Sequence, residues 1–274
     1  MGHNKQNEKQ KRLNLYLAGM DSILVALSGG VDSAVLLACA SQIPGKRVMA
    51  VTAISPIHPE CEKEDAVRIA GDLGVRHILI GSDEMTDVSF VNNPKNRCYI
   101  CKKLVFGKFK EIAEKKGVSH MVHGANMDDL SDYRPGMKAA DELGVKSPLI
   151  KAGLFKREIR KMAKQMGLGV WDKPAMACLA TRIPYGVPVT LERIKMVGDA
   201  EKILLGLGFK SCRVRHHETI ARIEVYPDEI QRLVQPEIRK VILRELKTIG
   251  YQFVAVDLKG YMMGGLNQPD GVQP

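Results

Sequence analysis

Nowhere does this 274-residue chain hold the roughly 20 consecutive apolar residues that a membrane-spanning helix needs. Its start, Met1-Gly2-His3-Asn4-Lys5-Gln6, has no Ser or Thr where a myristoylation signal wants one, and no secretory apolar region follows. No membrane partner is expected, and the cytoplasm is the expected compartment. Two common nucleotide loops are missing as well: neither GxxxxGK[ST] nor GxGxxG occurs. The basic stretches are not interleaved with aromatic residues, so no nucleic-acid platform is expected. No second CxxC stands ready to complete a four-cysteine zinc site, and no internal repeat is visible. Six cysteines in an intracellular chain of this size argue against a disulfide scaffold and for thiol or metal chemistry.

What is present begins with Ser22-Ile23-Leu24-Val25-Ala26-Leu27-Ser28-Gly29-Gly30-Val31-Asp32-Ser33. An apolar run rich in branched residues predicts a parallel strand buried on both faces. The glycines break it, and Asp32-Ser33 stands where a helix should start, ahead of good helix formers. Strand, glycine turn and helix N-terminus together make an anion site. The plain alternative is an ordinary strand–turn–helix corner. This SGGxDS form after a strand resembles the PP-loop of N-type ATP pyrophosphatases, which cleave ATP to AMP and pyrophosphate. The resemblance implies that Ser28, Gly29, Gly30, Asp32 and Ser33 cradle phosphates, with Asp32 also near Mg²⁺.

Further strands are predicted at Arg47–Ile54, His77–Ile80 and His120–Gly124, with helices near Glu62–Leu73 and Val105–Lys116 between them. That alternation predicts an α/β fold, a mostly parallel sheet with helices on both faces, whose ligands sit at the carboxyl ends of the strands. After residue 180 the pattern changes. An amphipathic helix over Thr190–Leu207, strands at Cys212–His216 and Ala221–Tyr226, helix over about 228–249 and a strand at Gln252–Asp257 make a smaller α+β module. Two domains are expected, 1–180 and 181–274. Residues 1–12 read as a disordered tail carrying much of the +10 net charge, and the segment after Leu266 reads as loose. The charge favours a phosphate-rich partner.

Four constellations carry candidate chemistry. Arg97-Cys98-Tyr99-Ile100-Cys101-Lys102-Lys103 places two thiols at metal-ligand spacing among basic residues that favour thiolate. A redox pair or a zinc half-site would use the same spacing. Cys178 lies between Pro174 and Pro184, with Lys173 and Arg182 near in sequence. Three cysteines at 98, 101 and 178 suit three irons of a [4Fe–4S] cluster with the fourth left open. Cys178 alone would more plainly be a small buried residue. Asn126, Asp128 and Asp129 follow the fourth strand, where carboxylates suit Mg²⁺ and Asn126 suits a nucleoside; an N-cap with a solvated acidic turn is the alternative. Arg213-Val214-Arg215 puts two guanidinium groups on one strand face, fit for a phosphate or simply surface charge, with Glu201 and Asp228 as companions for a metal or those arginines.

Taken together, SGGVDS, RCYICK, GANMDDLSDYRPG, KSPL, WDKPAMACLATRIPYG and the RVR strand with ARIEV after it resemble the LarE family of ATP-dependent sulfur transferases, over residues 23 to about 226. The resemblance implies a PP-loop, adenine nucleotide alpha hydrolase-like fold and work on the nickel-pincer nucleotide cofactor of lactate racemase. It implies adenylation of a carboxylate of a pyridinium biscarboxylate mononucleotide by ATP, then replacement of AMP by sulfur. Cys178, Asp32 and Arg182 become the catalytic candidates, and Arg213 and Arg215 would bind the substrate phosphate with Glu201 and Asp228 nearby. Cysteines at all three positions resemble the type that holds a [4Fe–4S] cluster, supplied with inorganic sulfide or another sulfur donor. In the other type the cysteine at position 178 gives up its own sulfur. A homo-oligomer is expected. A tRNA thiolase of the same superfamily would instead show a tight, salt-sensitive gel shift with tRNA. An amide-forming ligase would tolerate Cys98→Ser, and a nucleotide sensor would bind ATP without releasing pyrophosphate.

Overall fold

The computed structural model describes residues 2–131 and 135–261. The chain runs α1 (Gly2–Ala18), β1 (Ser22–Ala26), α2 (Val31–Ser41), β2 (Arg47–Ile54), α3 (Glu60–Asp72), β3 (Arg76–Gly81), α4 (Val88–Val91), α5 (Arg97–Lys116) and β4 (His120–Val122). It continues through α6 (Pro135–Glu142), α7 (Pro148–Lys151), α8 (Lys156–Gln165), α9 (Leu191–Gly206), β5 (Cys212–His217), β6 (Ile220–Val225), α10 (Ile230–Leu233), α11 (Pro236–Ile249) and β7 (Phe253–Val256). Two compact units result: Met1–Glu84 with Asn96–Met176, and Met85–Lys95 with the chain from Ala177 onward. No helix of the described residues is long and apolar enough to cross a membrane.

The first unit is built on a four-stranded sheet of order β3-β2-β1-β4, and every pairing in it is parallel. β1 is covered on both faces because its side chains alternate between two cores. Ile23 and Val25 pack with α1, α2 and α8 through Leu13, Leu17, Val35, Leu36, Ile159 and Met162. Leu24 turns the other way, onto Val105, Phe106 and Phe109 of α5. The carboxyl ends of β1 and β4 therefore emerge between two helical layers, and there the glycine loop lies.

The second unit is smaller. β5 pairs antiparallel with β6, and β6 pairs parallel with β7. Cys212, Val214, Ile223 and Val225 point from this sheet toward Ala200 and Leu204 of α9 and Ile242 and Leu246 of α11. The opposite side of β5 and β6 carries Arg213, Arg215, Arg222 and Glu224. Thr190 caps α9 as its position predicts, its hydroxyl accepting from Arg193 N.

Several expectations are corrected. Residues 2–12 are not a disordered tail: they form the opening turns of α1. The charged run hid the anchor, since Leu13 and Leu17 are fully buried and Lys9 Nζ pairs with Glu158 at 2.7 Å. The helix over 228–249 is broken into a 3₁₀ turn (227–229), α10 and α11, because Pro236 lacks the N–H that a continuous helix would use. The helix expected from Val105 begins at Arg97, which puts both cysteines of the CxxC in its first turns. Residues after Leu266 lie outside the described residues.

If α1 is an integral part of the first unit, Leu17→Ala lowers unfolding free energy by about 2–5 kcal/mol in urea titration. A change near zero would contradict its place in the core.

Candidate active site

Two tight backbone approaches shape the glycine loop. Gly29 has φ 73°, and a Cβ there would stand 2.2 Å from the carbonyl oxygen of Glu62 on α3. At the end of β4, a Cβ on Gly124 would stand 2.8 Å from Ser33 N. Only glycine fits either position. Asp32 and Ser33 do not cap α2. The helix starts one residue earlier, at Val31, behind Gly30 and without a side-chain cap. Instead the Ser33 hydroxyl lies inside the loop, accepting from Ser28 N (3.2 Å) and donating to Gly30 O (3.1 Å). The first N–H groups of α2, which no helical carbonyl can reach, are left for an anion.

Asp32 is the charged centre of this corner. Burial pushes its pKa up, against the opposing pull of the Lys156 ammonium with which it is paired. Its Oδ1 is buried and has no hydrogen-bond partner among the described residues. An unpaired buried carboxylate oxygen is costly, and beside phosphates a hard cation such as Mg²⁺ would satisfy it. Asn126 and Asp129 are buried next to it, but largely as a folded turn: Asp129 Oδ2 accepts from Asn126 N, and Asn126 Oδ1 accepts from Asp128 N, each at 2.9 Å. Asp128 Oδ2 accepts from Lys156 N at 2.6 Å, which fixes the start of α8. From the far side Lys173 Nζ reaches Gly29 O (3.4 Å) while paired with Asp65 (2.6 Å).

On α5, Cys98 and Cys101 are half-buried and one turn apart. The Cys101 thiol donates to Glu84 Oε1 at 3.5 Å, and Glu84 is wholly buried with its Oε2 unpartnered among the described residues. Two thiols on one turn suit half of a cluster or metal site. Among the described residues, no three His, Cys, Asp or Glu side chains are grouped to hold a metal ion.

In the second unit Cys178 is half-buried and precedes a 3₁₀ turn, Leu179–Arg182. Its carbonyl accepts from Thr181 N (3.0 Å), Thr181 Oγ1 (2.8 Å) and Arg182 Nη1 (3.3 Å). Arg182, 1% exposed, clasps Glu201 through Nε (2.7 Å) and Nη2 (3.0 Å). Burial opposes its charge, but the Glu201 carboxylate outweighs that and raises its pKa. Arg215 commits Nε and Nη2 to Glu224, both at 2.8 Å, and Nη1 to Thr181 O at 2.9 Å. Arg213 lies over the Tyr261 ring at 4.8 Å, its pKa lowered by burial and by the charge of Arg182. Asp228 is exposed, and its carboxylate pairs with no described residue.

No protein-family model matches the chain. Over 260 residues, 94% of each chain, it is 35% identical to the pyridinium-3,5-bisthiocarboxylic acid mononucleotide synthase of Lactiplantibacillus plantarum. The chain belongs to the LarE family. An uncharacterised protein of Synechocystis is 40% identical over 261 residues, 95% of this chain and 97% of that protein. A more distant likeness, 26% over 200 residues, is to a subunit of the glutamine-hydrolyzing GMP synthase of Archaeoglobus fulgidus, and covers 66% of this chain and 63% of that one.

In this LarE-family chain the fold brings Ser28, Gly29, Gly30, Asp32, Ser33, Asn126 and Asp129 to one corner of the first unit. It groups Cys178, Arg182, Glu201, Arg213 and Arg215 in the second. Asp228 joins neither group. Sequence reasoning missed Lys156, Gly124, Glu84 and Glu224. Lys156 is 124 residues from its partner Asp32, and nothing local in the sequence marks it. Gly124 carried a signal, a glycine closing a strand predicted to end at the same edge. Cys39 and Cys212 are buried and their thiols are pushed up to about 12 by burial, so both are packing residues.

His123, which follows β4 beside Gly124, holds Ser147 Oγ at 2.8 Å and packs on Phe106. Burial, helped by the Lys102 charge, pushes its pKa down to about 4. The unfolded chain takes up this proton near pH 6.5. Stability from neutral His123 is thus complete above about pH 6.5 and declines as pH falls toward 4. In His123→Gln, unfolding free energy should vary less with pH across that window than in the wild type. Equal slopes would contradict the assignment.

Proposed function

We propose that this protein is an ATP-dependent sulfur transferase that adenylates a carboxylate of pyridinium-3,5-biscarboxylic acid mononucleotide and replaces AMP with sulfur, giving a thiocarboxylate for the nickel-pincer nucleotide. The observation that carries this reading is the near full-length relation to the bisthiocarboxylic acid mononucleotide synthase. The uncapped α2 N-terminus and the unpartnered Asp32 oxygen suit its first step. On this reading the first unit is the PP-loop ATP pyrophosphatase domain. The second, Met85–Lys95 with the chain from Ala177 onward, is the substrate domain.

Ser28, Gly29, Gly30 and Ser33 would hold the pyrophosphate end of ATP with backbone N–H groups, and Asp32 would give Mg²⁺ an oxygen. A substrate carboxylate oxygen attacks the α-phosphorus, a new P–O bond forms, and pyrophosphate leaves. Donors fixed before reaction stabilise the charge that develops on the leaving group. A sulfur nucleophile then attacks the acyl carbon, a C–S bond forms, and AMP leaves with the carboxyl oxygen. Arg213 and Arg215 would supply the positive field for the substrate phosphate, Arg215 acting from behind because Glu224 and Thr181 take its donors. Arg182 would hold the Cys178 turn rather than touch substrate. Cys98, Cys101 and Cys178 would bind a [4Fe–4S] cluster, which when bound supplies an iron with an open position for sulfide. The setting would be the cytoplasm, with a homo-oligomer as the working form and inorganic sulfide or another small donor as the sulfur source.

Pyrophosphate release from ATP should require the pyridinium dicarboxylate and fall about 100-fold in Asp32→Asn. Anaerobically purified protein should contain about four irons per chain, falling sharply in Cys98→Ala, Cys101→Ala and Cys178→Ala. Pyrophosphate release without the dicarboxylate would contradict the substrate. Iron-free protein whose Cys178 loses one sulfur per reaction would replace the cluster by sacrificial transfer.

A further inference from the structure

The segment between Cys178 and α9 is rich in turn residues, with Pro184, Gly186 and Pro188, and beyond the 3₁₀ turn it has no regular structure of its own. What holds it comes from elsewhere in the sequence. Asn93, wholly buried at φ 54°, directs its carboxamide into this segment. Its Nδ2 donates to Pro184 O (2.8 Å), Val187 O (2.8 Å) and Ile183 O (3.3 Å). Its own carbonyl accepts from Gly186 N at 3.0 Å, and two residues earlier Val91 O accepts from Val189 N at 2.8 Å. α4, capped by Asp87 through Phe90 N at 3.0 Å, presents this short strap.

We propose that Asn93 is a positioning residue for the sulfur-transfer step, setting the conformation of the Cys178 loop. The inference rests on the role given to Cys178 above. Three carbonyl oxygens converge on one nitrogen, and without that donor they would repel each other and the loop would open. Asparagine suits the place twice over, because it tolerates the left-handed backbone and carries two N–H donors on a short side chain. Ile183 follows directly on the 3₁₀ turn that Cys178 begins, so releasing 183–187 frees that turn on the side Arg182 does not hold. The adenylating loop belongs to the other unit.

Asn93→Gly keeps the backbone angle and removes the clamp; Asn93→Asp keeps the shape and replaces donors by acceptors. In both, pyrophosphate release in the first turnover should be unchanged while thiocarboxylate formation falls about 100-fold, the scale of a reacting group misplaced by an ångström. Alkylation of Cys178 by iodoacetamide, followed by peptide mass spectrometry, should become faster than in the wild type. Equal alkylation and equal product in wild type and variants would overturn the proposal. So would unfolding of both variants, which would make Asn93 a general stabiliser. If the wild type itself forms no thiocarboxylate, the functional reading fails, and the alkylation rates still decide the role of Asn93.

Discussion

Backbone crowding at the first turn of α2 is the constraint on which the first unit's chemistry depends. Glu62 of α3 presses on the loop from one side and the end of β4 presses on Ser33 from the other, so neither Gly29 nor Gly124 has room for a side chain. With glycine at its cap position, this helix N-terminus carries no side chain to cover it. Its N–H groups stay directed at the space beyond the strand ends, where a polyphosphate would find them already oriented. Asp32 is held in the same place at the cost of an unpartnered oxygen, with Lys156 balancing its charge. Such a local penalty persists only where the surrounding packing fixes it, and here two apolar layers do so.

A different device governs the second unit. Arg182–Glu201 and Arg215–Glu224 are buried ion pairs, each with two short contacts, and they brace the carbonyl side of the Cys178 turn. Buried pairs of this kind add little net stability, but breaking one strands a charge and is strongly unfavourable. Their effect is to leave the turn one arrangement. Both units thus rely on preorganisation, the first through backbone proximity and the second through paired charge.

Much of this was legible along the chain. β2 matches its expected bounds, and β3 and β4 fall within two residues of theirs, because buried parallel strands are short apolar runs that a glycine or polar turn ends abruptly. The glycine loop announced itself by sequence form, and the alternation of β5 put its two arginines on one face. Distance in sequence hid the rest. Glu224 neutralises Arg215 from the neighbouring strand, Lys156 reaches Asp32 across most of a domain, and Asn93 serves a loop some 90 residues ahead of it. None of these pairings leaves a local pattern. α1 escaped for another reason: its dense charge outweighed two leucines, one turn apart, that anchor it.

Sulfur replacing oxygen in the product is the central claim, and mass spectrometry of the small molecules and the protein tests it most directly. Incubated without oxygen with ATP, Mg²⁺, the pyridinium dicarboxylate mononucleotide and sulfide, the protein should yield thiocarboxylate and AMP in equal amounts, in excess over the protein, whose own mass stays constant. AMP and pyrophosphate accumulating while every product carboxylate keeps both oxygens would contradict the account.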